Sequence, residues 1–378
     1  MSGHGRGTGE YHPALDGLRA IAVIAVVLFH AGATSDLTNF ASGGFIGVSV
    51  FFTLSGYLVT TLLLREVDAQ GRFDVSRFWA RRIKRLAPAS LAVVLTAVVL
   101  ASTYWNGMRA ADAAAGIFGY TNWHVIGSGE GALLRTIVGP LGPYWSLAVE
   151  EQFYVALCGA FLLSLRTARP VRTLSIIVVA GWFGSLAVQL LVDGPQYRLE
   201  FGTDAKGAEL LAGCGLAILL RERPALLQRW PRGLAAGGAI GLGAVLALAA
   251  FGDLDPPWLL HGGYAGVSLV SAVLVASLLV PGRLTSILAR TPFVVAGRMS
   301  YSWYVIHWPV ILVLTSDRTG LDRWSLVALK FLATASAAAL LHVAIEQPLR
   351  RVERPSNTII ATWAGASVAL LGVAAAVL

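Results

Sequence analysis

Two ionisable side chains interrupt the first strongly apolar stretch of the chain, LRAIAVIAVVLFHAG: Arg19 near its start and His30 near its end. An imidazole can take a proton as a general base or act as a nucleophile. A guanidinium supplies fixed positive charge and a forked set of donors for an anion. In a helix, eleven residues advance the chain to about 20° past three full turns and roughly 16 Å along the axis. Arg19 and His30 therefore share one helix face. The bland alternative has Arg19 snorkelling to headgroups and His30 hydrogen-bonded in a core, and other polar motifs nearby weigh against it.

The second motif is GPYWSLAVEEQFYVAL, with Glu150 and Glu151 inside an apolar segment and Tyr154 one turn beyond Glu150. Adjacent helical residues cannot share a face, so one carboxylate is expected to point inward and the other elsewhere. The third is SRFWARRIKRLAPAS, where Arg81, Arg82 and Arg85 add to Arg77 and Lys84. Such a cluster either grips anionic lipid or cradles a phosphorylated ligand, since guanidinium forks match phosphate oxygens. The candidate set is completed by Asp16, Asn122 in GYTNWHV, Asp204 in FGTDAK and His307 in SYSWYVIHWP, as substrate-contacting or secondary residues. Ser55 lacks a Gly-x-Ser-x-Gly frame, and with Gly44, Gly47, Ser49 and Gly56 it reads as helix packing.

The elements that must hold these residues follow from composition. Of the 378 residues, 56% are hydrophobic and only 13% charged, with mean hydropathy +0.68, where a soluble domain carries about 25% charged residues. Apolar runs near twenty residues recur, the length that crosses roughly 30 Å of hydrocarbon. The expected fold is an all-α polytopic membrane helix bundle. Eleven spans are read: 15–33, 43–64, 88–105, 145–166, 173–192, 205–220, 233–251, 261–280, 300–315, 324–345 and 358–378. A basic cytoplasmic helix precedes the third. The interval 106–144, broken by Gly, Asn and His, is expected to be re-entrant or interfacial. Residues 1–12 are Gly-rich and expected to be disordered, and no cleavable signal peptide is expected.

Orientation follows from counting. The loops 65–88, 166–172, 221–232, 281–299 and 346–357 carry 7, 3, 4, 3 and 3 Lys/Arg, a total of 20. The loops on the other side, 34–42, 106–144, 193–206, 252–260 and 316–323, carry 0, 2, 2, 0 and 2, a total of 6. The first set is expected in the cytoplasm, with the N-terminus inside and the C-terminus outside a cell membrane. The net charge of +8 then reflects this asymmetry and membrane lipid contact, and no nucleic acid partner is implied. Cys158 and Cys214 lie in apolar segments without ligand spacing, so no metal site is implied. No Walker-type loop or dinucleotide fingerprint is present.

Taken in order, LDGLRAIAVIAVVLFH, GVSVFFTLSGYL, RRIKRLAP, WSLAVEEQFY, GTDAK, SYSWYVIHWP and EQPLRR resemble the motifs of the integral-membrane acyltransferase 3 family over residues 12–351. The resemblance implies a membrane domain at 13–357, with 358–378 as an extra transmembrane helix. It also implies transfer of an acyl group, commonly acetyl from cytoplasmic acyl-CoA, to a hydroxyl of a sugar, polyketide or lipid-linked acceptor. By position, His30 becomes the leading catalytic residue, Arg19 its electrostatic partner and Glu150 the motif carboxylate, while Arg81, Arg82 and Arg85 form the basic motif expected to hold the CoA phosphates. Ser49 and Lys206 depart from the Asp and Arg that many members carry there. Glu150 is expected to orient the His30 imidazole or stabilise imidazolium. Direct transfer and an acyl-histidine relay both stay open, as does homo-oligomer formation. The rival reading is a transporter or flippase that uses the buried charges as a pathway.

Overall fold

In lipid every backbone amide and carbonyl must be satisfied within the chain, so apolar runs of spanning length fold as helices. A computed structural model describes residues 11–105, 107–129, 139–253 and 256–378 and is all helix, with no strand among them. The expected disorder of the first dozen residues falls almost wholly outside this described set. The first helices are α1 (Pro13–Ala33), α2 (Ile46–Gln70) and α3 (Val75–Tyr104). Two short helices follow, α4 (Ala110–Ile117) and α5 (Thr121–Ser128), and then α6 (Tyr144–Leu165) and α7 (Pro170–Leu191). The middle of the chain forms α8 (Gln196–Phe201), α9 (Thr203–Glu222), α10 (Pro231–Phe251) and α11 (Tyr264–Ser277). The last third forms α12 (Arg283–Leu288), α13 (Thr291–Arg298), α14 (Ser300–Val313), α15 (Arg323–Leu341) and α16 (Ser356–Val377).

Nine helices among the described residues are long and apolar enough to cross a membrane. Two of the eleven expected spans fall outside that set. Within α9, Asp204, Lys206, Glu209, Arg221 and Glu222 dilute the apolar content, and α14 has only 14 residues. Both nevertheless sit inside the bundle: α9 packs against α2, α7 and α11, and α14 against α1, α3 and α15. The basic helix and the third span prove to be one continuous 30-residue helix, with Pro88 inside it. Proline there costs one backbone hydrogen bond without ending the helix. Within 106–144, α4 and α5 have eight residues each, about 12 Å, too short to cross.

Ion pairs gather where α1 begins and α2 ends: Asp68 with Arg221, Glu66 with Arg81, Asp16 with Arg298 and Glu346 with Arg350. This is the basic end of the bundle. At the crossing of α2 and α9 the two backbones touch. A Cβ on Gly56 would lie 1.9 Å from the Leu210 carbonyl oxygen, and one on Gly213 would lie 1.9 Å from that of Thr53. Backbone cannot yield as a side-chain end does, so Gly213→Ala is expected to abolish the monodisperse peak in fluorescence-detected size-exclusion chromatography. Gly243→Ala, with nothing within 4 Å of the added carbon, should leave that peak intact.

Candidate active site

The basic-end half of the bundle holds a partly open cavity of about 80 Å³ between α1, α2, α3, α6 and α14. Arg19, Arg82 and Arg85 all line it, and among its lining residues Glu150 is the one carboxylate. Arg19 donates from Nε to Ser300 Oγ at 3.1 Å. Arg82 is buried and sandwiched between the Phe78 and Tyr154 rings, 4.5 and 4.4 Å from their centroids. Among the described residues its Nε has no hydrogen-bond partner. Glu150 is held by the hydroxyls of Ser55 and Tyr154, which lie 2.7 Å from each other. Three guanidiniums against one already solvated carboxylate leave the cavity short of negative charge, the condition for taking up an anion.

Tyr304 also lines this cavity; its hydroxyl lies 2.5 Å from Ser146 Oγ and donates to the Pro143 carbonyl at 3.1 Å. His30 is not among the lining residues. It meets α14 at the turn after Tyr304, its ring 5.0 Å from that of His307 and 4.9 Å from that of Trp308. His307 is fully buried, and its Nδ1 lies 2.5 Å from the Tyr304 carbonyl oxygen. A carbonyl only accepts, so His307 Nδ1 carries the proton and its Nε2, in the neutral ring, has a lone pair. That lone pair faces His30 Nδ1 at 3.2 Å, and Val26 O accepts from the same nitrogen at 3.0 Å. His30 Nδ1 is therefore protonated, and its Nε2 is left with the lone pair that a base or nucleophile needs.

Arg19 and His30 thus both meet α14, at Ser300 and His307, so one face of α1 carries both. Glu150 does not touch His30: the hydrogen bonds fixing that ring come from Val26 and His307, and Glu150 belongs to the arginine cavity. The three basic-motif arginines also separate. Arg82 and Arg85 line the cavity, whereas Arg81 donates to Glu66 Oε2 at 2.5 Å and faces outward. Glu150 and Glu151 diverge as adjacent helical residues must, and Glu151 lines a separate cleft with Trp79 and Trp363.

The remaining candidates are placed away from the cavity. Asn122 is fully buried and spends both amide hydrogens on Phe201 O and Thr203 Oγ1, while its Oδ1 accepts from Gln152. That network ties α5 to α6 and α9. Asp204 takes a bidentate pair from Arg198 at 2.9 and 2.6 Å; these hydrogen bonds raise the Arg198 guanidinium above its ordinary range. Asp16 accepts from Tyr11 at 2.6 Å and faces Arg298 at the basic end. Sequence reading passed over Ser300, Tyr304 and Ser146, and read Ser55 as packing. The available signal was periodicity: Ser300, Tyr304 and His307 recur at four and three residues along SYSWYVIH, one helix face.

The family model described as an acyltransferase domain matches residues 12–377, a range that takes in α16. The chain is 33% identical over 354 residues to the O-acetyltransferase OatA of Staphylococcus aureus, covering 90% of this chain and 58% of that protein. It is 32% identical over 357 residues to the peptidoglycan O-acetyltransferase OatA of Listeria monocytogenes, covering 90% and 56%. The chain spans a little over half the length of these relatives. No solved structure matches.

Proposed function

Because the chain belongs to the acyltransferase 3 family by its match over residues 12–377, we propose that it is a membrane O-acetyltransferase that uses acetyl-CoA. The donor phosphates rest on Arg19, Arg82 and Arg85, and the basic end faces the cytoplasm, where the excess of Lys and Arg belongs. The acceptor is a glycan hydroxyl, of the kind named for the Listeria relative. The observation that carries this reading is the shared face of α1, with Arg19 in the anion-ready cavity and His30 beside His307 further along. The match to an acyltransferase domain over residues 12–377 favours group transfer over a pathway for a transported solute.

In the transfer, the acceptor hydroxyl gives its proton to His30 Nε2 as its oxygen attacks the thioester carbonyl. The CoA sulfur then leaves and takes that proton as a thiol. His307 holds the reactive tautomer, the part that a carboxylate plays in a serine-hydrolase triad. Arg19 offsets negative charge on the donor side. For the thioester to reach His30, the Tyr304 hydroxyl must leave Ser146 and Pro143. In the relay variant the same Nε2 lone pair attacks the thioester first and expels CoA as the thiolate; the acceptor oxygen then takes the acetyl group from the imidazole, and the hydroxyl proton it gives up balances the thiolate as CoA thiol.

Purified chain in proteoliposomes, given isotopically labelled acetyl-CoA and soluble peptidoglycan fragments, should release CoA thiol and form alkali-labile acetyl esters. Solute movement across the vesicle without thiol release would establish the transporter reading instead. Donor without acceptor should label His30 if the relay operates and leave it unlabelled if transfer is direct.

A further inference from the structure

Lys330 is 1% exposed, near the middle of α15, and forms no ion pair among the described residues. An ammonium buried in that way is retained only where oxygens take up all its donors. Here they do. Nζ donates to Thr34 O at 2.8 Å, Thr34 Oγ1 at 2.9 Å and Ser35 Oγ at 2.9 Å. All three oxygens belong to the residues that close α1, where unpaired carbonyls and the negative end of the helix dipole collect.

The tie continues to the candidate base. Thr34 donates to the His30 carbonyl twice, from Oγ1 at 2.6 Å and from its amide at 3.1 Å. Lys330 is thus joined through Thr34 to the backbone of His30. One turn earlier in α15, Val327 packs with Ala31 of α1 and with Trp308 and Ile311 of α14. Three helices therefore pack together beside the half-buried imidazole, and the 3.2 Å contact between His30 and His307 depends on the register of α1 against the other two.

We propose that Lys330 is a positioning residue for His30: its ammonium ties the last turn of α1 to α15 and so sets the meeting of His30 with His307. The proposal rests on the reading of His30 as the reacting group, and one arm of its test needs no catalysis. Diethyl pyrocarbonate modifies unprotonated imidazole nitrogens, and peptide mass spectrometry of the detergent-solubilised chain reports the rate at His30. Lys330→Met removes the donors at similar length. Thr34→Val removes the hydroxyl that links Lys330 to His30 and leaves the lysine in place, so it carries the test where Lys330→Met does not fold. Both variants are expected to speed modification of His30 by about tenfold while the exposed His261 is unchanged. In the acetyl-transfer assay they should lower kcat by roughly tenfold to a hundredfold, the scale of a 1 Å misplacement, with the acetyl-CoA KM within about twofold because the arginine cavity is remote. Combined with His30→Ala, Lys330→Met should cost nothing further. Unchanged His30 modification in both variants would overturn the proposal, as would an equal rise at His30 and His261, which reports general loosening. A wild-type chain without acetyl-CoA turnover would count against the catalytic reading alone, since the modification arm still decides the role of Lys330.

Discussion

His30→Ala is expected to lower acetyl transfer by about a hundredfold to ten-thousandfold, the span that a positioned general base supplies. Acetyl-CoA affinity should change little, because the proposed donor site is the cavity of Arg19, Arg82 and Arg85, which His30 does not line. The companion variant is His307→Ala. It leaves the lone pair of His30 in place but removes the acceptor that faces His30 Nδ1. Partners that hold a functional imidazole in one tautomer contribute about tenfold to a hundredfold, so His307→Ala should fall between wild type and His30→Ala. Initial rates of CoA thiol release at saturating donor, alongside donor binding by calorimetry, separate the two quantities. If His30→Ala turned over at the wild-type rate, the site would have to be sought elsewhere in the bundle.

Arg82→Gln should weaken acetyl-CoA binding by about tenfold to a hundredfold, as expected when a buried charge-assisted contact is lost. Arg81→Gln should change it by less than about threefold. Arg81 lies one residue away, yet it is spent on Glu66, and its side chain is 40% exposed, where an ion pair is worth about 0–1 kcal/mol. Lipid binding by a general basic surface would treat the two arginines alike. Titrations of acetyl-CoA at two salt concentrations test this directly, and equal losses for both variants would remove the cavity from the proposal.

Much of this arrangement was legible in the residue string, and the rest was hidden for identifiable reasons. Helical period alone put Arg19 and His30 on one face, and the same helix, α14, receives both. Period alone also separates Glu150 from Glu151. It cannot choose among Arg81, Arg82 and Arg85, because 82 and 85 share a face and so do 81 and 85. That choice is made by Glu66, contributed from α2. The expected meeting of Glu150 with His30 failed because the register of α6 against α1 is a property of packing, set by contacts such as those of Ser55 and Tyr154 with Glu150. Asn122 is a buried polar residue of structural type: its partners are backbone and neighbouring side chains of other helices, and no single-sequence signal tells that from a ligand contact. The span count was reduced by α9 and α14, whose polar content or short length is tolerated because other helices screen them from lipid.

The aromatic partition at Tyr304 also bears on the energetics of the cell. A membrane holding 100 mV across it stores about 2.3 kcal/mol per elementary charge, and any uninterrupted file of water along α1 would let protons drain that store. The arginine cavity is lined by the Tyr304–Ser146 pair and by neither histidine. Under the proposed transfer the group that moves past Tyr304 is a neutral acetyl, which carries no current of its own.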